Sequence, residues 1–241
     1  MARRNTSSRA PLTTGLPVEP VPTTTGYAEL VPDPGSPRSF TLMLDGVPSS
    51  HVDLDDPEYL EFEYMQQMAA VLDRCAAPRA PLDVVHLGAA GCSLARYVHA
   101  TRPRSRQLAV EIDATLAAHV RTWFDLPRSP ALRIRVGDAR AVLASLPSAS
   151  ADVVIRDVFA DAHTPEHLIT AEFATEAARV LRPGGVYLAN CADRPPLALA
   201  RSEVATVRAV FDVVTMTAEP AQLRGRRYGN VVIAASDDDS V

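Results

Sequence analysis

Beyond residue 78 the chain alternates apolar runs of strand length with amphipathic stretches of helical length, and no other feature restricts the fold as strongly. Strand-like runs fall at 82–87, 107–110, 132–136, 152–156 and 186–190. Helical spacing fills 93–101, 114–123, 139–145, 166–181 and 197–209. A strand–helix–strand order of this kind implies right-handed crossovers and a parallel sheet. Two further runs, 210–216 and 230–235, lie close together and imply an antiparallel hairpin at one edge. The expected fold class is therefore α/β: a Rossmann-like, mostly parallel seven-stranded sheet with helices on both faces.

The first part of the chain reads differently. Residues 1–25 are rich in Pro, Thr, Ser and Arg and are expected to form a disordered tail. Residues 26–54 carry short strand-like runs separated by Pro32-Asp33-Pro34-Gly35 and Asp45-Gly46, both turn formers. They predict a small antiparallel β unit, too thin to stand alone. Residues 55–241 are expected to form the Rossmann-like domain. Its first helix is expected to open at Asp56-Pro57, with Asp56 as N-cap. Leu60, Tyr64, Met68, Val71 and Leu72 follow at helical spacing.

Composition removes several chemistries. All 24 basic residues are Arg, because the chain has no Lys. That excludes a P-loop, a Schiff-base enzyme and a kinase, each of which needs a lysine. A net charge of −5 argues against a nucleic-acid partner. No apolar run approaches the roughly 18 residues of a membrane span, so neither a membrane partner nor a leader is expected, and cytoplasmic residence is the default. Cys75, Cys92 and Cys191 are far apart and read as free thiols. His163 and His167 match an H-x-x-E-H pattern, but Thr164 reads as an N-cap and Pro165 as the first helical residue. His163 would then lie off the helix, and no metal is expected. Arg224, Gly225, Arg226 and Arg227 read as a solvated turn before the last strand.

Ligands of open α/β sheets sit outside the carboxyl ends of the strands. After the first strand come Gly88, Ala89, Ala90, Gly91 and Cys92, small residues that let main chain approach a ligand. After the second come Glu111, Ile112 and Asp113. Glu111 lies about 20 residues past the glycine turn, where an acid accepts both ribose hydroxyls. Its alternative is a solvated carboxylate, and Asp113 reads as a helix cap. After the third come Asp138 and Ala139; Asp138 can accept from an adenine amino group, cap the next helix, or both. After the fourth comes Asp157. It would face the reacting end of a bound nucleoside and can take a proton from an attacking amine, or else orient a loop.

These residues resemble the spermidine synthases (polyamine aminopropyltransferases), in particular their synthase-like bacterial branch. The resemblance covers about 26–235. It runs through Leu44-Asp45-Gly46-Val47, the glycine turn, Glu111-Ile112-Asp113 and Gly137-Asp138-Ala139. Its most specific stretch is 157–170, where Asp157, Phe159, Pro165, His167, Leu168 and Thr170 follow a D-A-F…P-x-H-L-x-T pattern. The resemblance implies decarboxylated S-adenosylmethionine or S-adenosylmethionine as donor, an amine as acceptor, and a homodimer. It implies that Gly88, Ala89, Gly91, Glu111, Ile112, Asp138 and Ala139 hold the nucleoside. Asp157 would be catalytic, and Tyr64, Glu63 and Asp161 would bind the acceptor.

Three positions depart from the family pattern. Gly91 stands where the family carries an Asp, Ser49 where it carries a Gln, and Gln66 where its first helix carries an acid. A bound ammonium needs carboxylates, since a lone buried cation is costly. Glu61, Glu63, Asp157 and Asp161 are the acids available to supply them. Three functions follow from the pattern: aminopropyl transfer, methyl transfer on the same scaffold, and nucleoside binding without catalysis.

Overall fold

The structure, a computed structural model, describes residues 15–160, 163–224 and 227–238. Two sheets organise it. The smaller is antiparallel and holds β1 (Val21–Pro22), β2 (Tyr27–Asp33), β3 (Ser36–Leu44) and β4 (Val47–Asp53) in that order. The turn between β2 and β3 closes on Gly35 and that between β3 and β4 on Gly46, both at positive φ.

The larger sheet comprises β5 (Asp83–Leu87), β6 (Arg106–Glu111), β7 (Leu132–Val136), β8 (Ala151–Arg156), β9 (Leu181–Asp193), β10 (Val213–Ala218) and β11 (Gly229–Ser236). Their spatial order is β10-β11-β9-β8-β5-β6-β7. The five strands β5 to β9 run parallel, whereas β11 is antiparallel to both β9 and β10. The expected fold class therefore holds. Between the last two strands the chain inserts a short helix, α7 (Pro220–Leu223), where the sequence suggested only a turn.

The period-2 alternation of the strands divides the core. One face takes Val84, Val153, Ile155, Val186, Leu188 and Val232 against α1 (Glu63–Arg74) and α2 (Ser93–Thr101). The other takes Val85, Val154, Tyr187, Ala189 and Ile233 against α4 (Ala139–Ala144), α5 (Ala171–Val180) and α6 (Ala198–Arg208). Strands buried on both faces explain why these runs read as continuous apolar stretches.

The small sheet buries one face on the large unit. Ala28, Leu30, Phe40, Leu42 and Val52 pack with Cys92, Ala95 and, from α3 (Ala114–Trp123) and its end, Leu116, Val120 and Phe124. Leu42 is completely covered, a burial that stabilises by about 1.5–3 kcal/mol. The sheet too thin to stand alone is thus completed by α2 and α3.

Three local expectations are corrected. Residues 21–25, assigned to the tail, include β1, and the amides of Thr24 and Thr25 donate to Asp113 at 3.0 and 2.8 Å. Residues 1–14 lie outside the described residues. The first helix begins at Glu63, not at Asp56: Asp56 Oδ1 accepts only from Glu58 N, in a turn, and Phe62 precedes the helix with no side-chain cap. Thr164 caps nothing either. Residues 166–168 form one 3₁₀ turn, Glu166–Leu168, and the true cap is Thr170, whose hydroxyl accepts from Phe173 N at 3.2 Å.

Candidate active site

The carboxyl ends of β5, β6, β7, β8 and β9 share one rim of the sheet, and the residues following them meet there. Two bonds stitch the centre of that rim. Gly88 N donates to Val110 O at 3.0 Å, and Asp157 N donates to Leu87 O at 2.8 Å. Gly88 has φ +85°, and a Cβ on it would stand 2.1 Å from the Asp157 carbonyl oxygen. Glycine is required there by backbone conformation and by the close approach alike.

Glu111 closes over the glycine turn. Its Oε2 accepts from Ala90 N at 3.0 Å and Ala89 N at 3.3 Å, and its Oε1 accepts from Asp113 N at 3.0 Å. Beside it Asp113 caps α3 through Leu116 N at 2.8 Å and also accepts from Thr24 and Thr25. Burial would raise the Asp113 carboxyl, but these donors outweigh it and hold the group well below the usual carboxylate range.

Asp138 fills its expected cap position and makes a second contact that the sequence did not suggest. Its Oδ1 accepts from Ala141 N at 2.9 Å, capping α4, while Oδ2 meets His167 Nε2 at 3.0 Å. Burial works to raise it, and the Ala141 amide and His167 bring it below its ordinary value. Ala139 is buried behind it. Ile112 and Val136, at the ends of β6 and β7, leave apolar side chains 61% and 50% exposed on the same rim. His167 faces Asp138, and His163 pairs through its main chain with Ala160.

Asp157 sits at the other end. Its Oδ2 accepts from the Tyr64 hydroxyl of α1 at 3.0 Å, and its Oδ1 accepts from Asn190 Nδ2 of β9 at 2.9 Å. Burial pushes the carboxyl above its ordinary value, against the lowering effects of Asn190, Tyr64 and Arg156. The Tyr64 hydroxyl is pushed far up, by burial first and then by Asp157 itself, and so stays a protonated donor. Sequence reasoning did not single out Asn190, although it ends the fifth strand-like run and is 1% exposed. Its Oδ1 is buried without a protein partner.

The remaining expected acceptor residues disperse. Glu63 is exposed and pairs with Arg227 at 2.8 Å. Glu61 accepts from the Tyr59 hydroxyl. Asp161 lies outside the described residues, as do Gly225 and Arg226 of the basic turn. Gln66 donates to the Leu60 carbonyl, and Ser49 to the Val47 carbonyl. Gly91 is enclosed: its amide donates to Ser50 Oγ at 2.9 Å, and a Cβ there would lie 2.7 Å from Ser50 Cβ. The place of the missing acid is thus closed by Ser50. The three cysteines are free thiols, two of them buried.

A crystal structure of a probable spermidine synthase from Corynebacterium glutamicum is 43% identical, covers 91% of this chain and 80% of its own, and superposes with a TM-score of 0.87. The chain belongs to the spermidine synthase-like family. Residues 85–189 also match the family described as a methyltransferase domain, which fits the class I methyltransferase fold of this family. A polyamine aminopropyltransferase of Vibrio vulnificus is 32% identical over 133 residues, 54% of this chain and 44% of that protein. The chain spans about half the length of the curated aminopropyltransferases it matches. Human methyltransferase-like protein 13, solved in complex with SAH, is 25% identical, with a TM-score of 0.63 over 74% of this chain and 83% of its own. No helix among the described residues is long and apolar enough to cross a membrane.

Proposed function

We propose that the chain is a transferase that binds an S-adenosylmethionine-type nucleoside and moves an aminopropyl group from its decarboxylated form to an amine. The observation that carries this reading is Asp157, a carboxyl made more basic than usual and flanked by Tyr64 and Asn190 where the reacting end of a nucleoside would lie. Gly88, Ala89 and Gly91 bring main chain to the donor, Glu111 receives the ribose hydroxyls, Ile112 covers the base, and Asp138 with Ala139 reads its edge. The amine nitrogen attacks the carbon beside the sulfonium sulfur. The C–S bond breaks, methylthioadenosine leaves, and the proton shed by nitrogen passes to Asp157. A raised pKa makes Asp157 a better acceptor for that proton than an ordinary carboxylate. Tyr64, Glu63 and Asp161 are read as the residues that bind the cationic acceptor. The assembly is read as a homodimer, which light scattering on the full chain tests.

A second reading, methyl transfer from S-adenosylmethionine, is favoured by Gly91: the acid that would grip an aminopropyl ammonium is absent and Ser50 closes its place. The likeness to the human methyltransferase-like protein is in keeping with it. One experiment separates them. The protein is titrated calorimetrically with S-adenosylmethionine, its decarboxylated form and methylthioadenosine, and products with putrescine are followed by mass spectrometry. Aminopropyl transfer predicts tightest binding of the decarboxylated donor and release of methylthioadenosine. Methylated product from S-adenosylmethionine alone would replace it with the second reading, and failure of all three nucleosides to bind would overturn both.

A further inference from the structure

Behind Asp157 lies a buried ion pair that the proposed chemistry does not touch. Arg156, the preceding residue, ends β8 with its side chain on the opposite face of the sheet and is completely covered. Its guanidinium pairs with Glu203 of α6, itself 5% exposed. The same nitrogen donates to the main-chain oxygen of Asn190 at 3.0 Å. Asn190 in turn donates from its side chain to Asp157. The guanidinium therefore fixes, from the far side of the sheet, the residue that holds the carboxylate on the near side.

Packing does not explain such a pair. A buried ion pair is a poor source of stability, and apolar residues of similar volume often do as well or better. Around the pair, all buried, are Tyr187 and Cys191 of β9, which lie against Arg156 and Glu203 respectively, and Ala200 and Val207 of α6. A fixed positive charge next in sequence to the reacting carboxylate has an electrostatic consequence that an apolar filler lacks.

We propose that Arg156 is a positioning residue for Asp157, and that Glu203 trims its influence, so that the pair sets the pH at which Asp157 becomes a proton acceptor. The inference rests on the proposed role of Asp157. Tyr64 from α1 and Asn190 from β9 face Asp157, and Arg156 acts on it by charge from the other face of the sheet; Glu203, Tyr187 and Cys191 stand around Arg156. Tyr64, Tyr187 and Cys191 are all raised by burial and stay protonated through the neutral range, so Arg156 and Glu203 carry the charge that matters. Arg156 favours the ionised form of Asp157, and Glu203 offsets part of that effect.

The sign of each change is therefore fixed. Glu203→Gln leaves the guanidinium uncompensated and should lower the apparent pKa of Asp157. Arg156→Met with Glu203→Met removes both charges and should raise it. Each shift is expected at about one pH unit. The double variant is used because Arg156→Met alone would strand a buried carboxylate and strongly destabilise the fold. The carboxyl is titrated by infrared difference spectroscopy, with Asp157→Asn as the subtraction control, and the acid limb of the kcat profile is measured in parallel. Opposite shifts in the two variants support the proposal. Shifts of the same sign, or none, overturn it even if turnover falls, since a merely structural role lowers activity without moving the titration. The spectroscopic reading stands without turnover, so failure of the transferase assignment shows separately, as absent product in the unaltered protein.

Discussion

The two ends of the candidate site hold their carboxylates in opposite ways. At the end formed by β6 and β7, Glu111, Asp113 and Asp138 are bound mainly by main-chain amides, near in sequence for Glu111 and Asp138 and both near and distant for Asp113. The donors around Asp113 and Asp138 hold both carboxyls below the ordinary range. At the reacting end Asp157 depends on side chains from α1 and β9, far away along the chain, and burial pushes it up. Asp113 and Asp138 are thus favoured as carboxylates, whereas Asp157 suits the proton exchange proposed for it. The difference also divides stability from chemistry, because an acid with a depressed pKa supports the fold at neutral pH and one with a raised pKa costs it.

Asp157→Asn breaks the comparison most sharply. Turnover should fall about 10²–10⁴-fold, while nucleoside affinity measured calorimetrically stays near its original value. Because the folded value of Asp157 lies above the unfolded 3.8, its ionisation destabilises once the pH exceeds that figure. The variant should therefore melt no lower than the parent at neutral pH, and a marked drop would contradict the assignment. Glu111→Ala should do the reverse: nucleoside Kd rises roughly 10–100-fold through lost charge-assisted hydrogen bonds, as titration would show.

Gly91→Ala sharpens the nucleoside side. The added methyl meets Ser50 Cβ at 2.7 Å, so the unfolding free energy in denaturant should fall by about 1–3 kcal/mol. Pairing it with Ser50→Gly should recover most of that loss. The smallest effect belongs to Asp113→Ala, which removes a helix cap for about 0.5–2 kcal/mol. The cap's contribution is full above pH 3.8 and is lost as the pH falls through the depressed folded value. Parent and variant should thus converge in stability under strong acid, and parallel curves across the whole range would rule this origin out.

The same division governs what the sequence discloses. The bounds of α2 and α3 fall at the expected 93–101 and 114–123, where periodicity marks both helices and Asp113 caps the second. Asp56-Pro57 misleads because a turn uses the same cap chemistry as a helix, and the real start at Phe62 carries no cap at all. Glu111, Asp113 and Asp138 are legible because each directly follows a strand. Asn190, Arg156 and Glu203 are not, since their partners lie 33 to 47 residues away. A signal for them did exist. Glu203 shares the buried stripe of α6 with Ala200 and Val207, and Arg156 extends the apolar run of Val153, Val154 and Ile155. A charge placed on an apolar face asks for a buried partner.

The position of β11 has a consequence for how the molecule is made. It is the last of the seven strands in sequence, yet it lies inside the sheet, between β10 and β9. On the ribosome, β9 emerges with one edge bare and remains so until residues 229–236 have been added. The strand that presents Asn190 to Asp157 is thus the last of the parallel set to be sheltered. A pause in translation after α6 would leave a templating edge beside the future reaction centre.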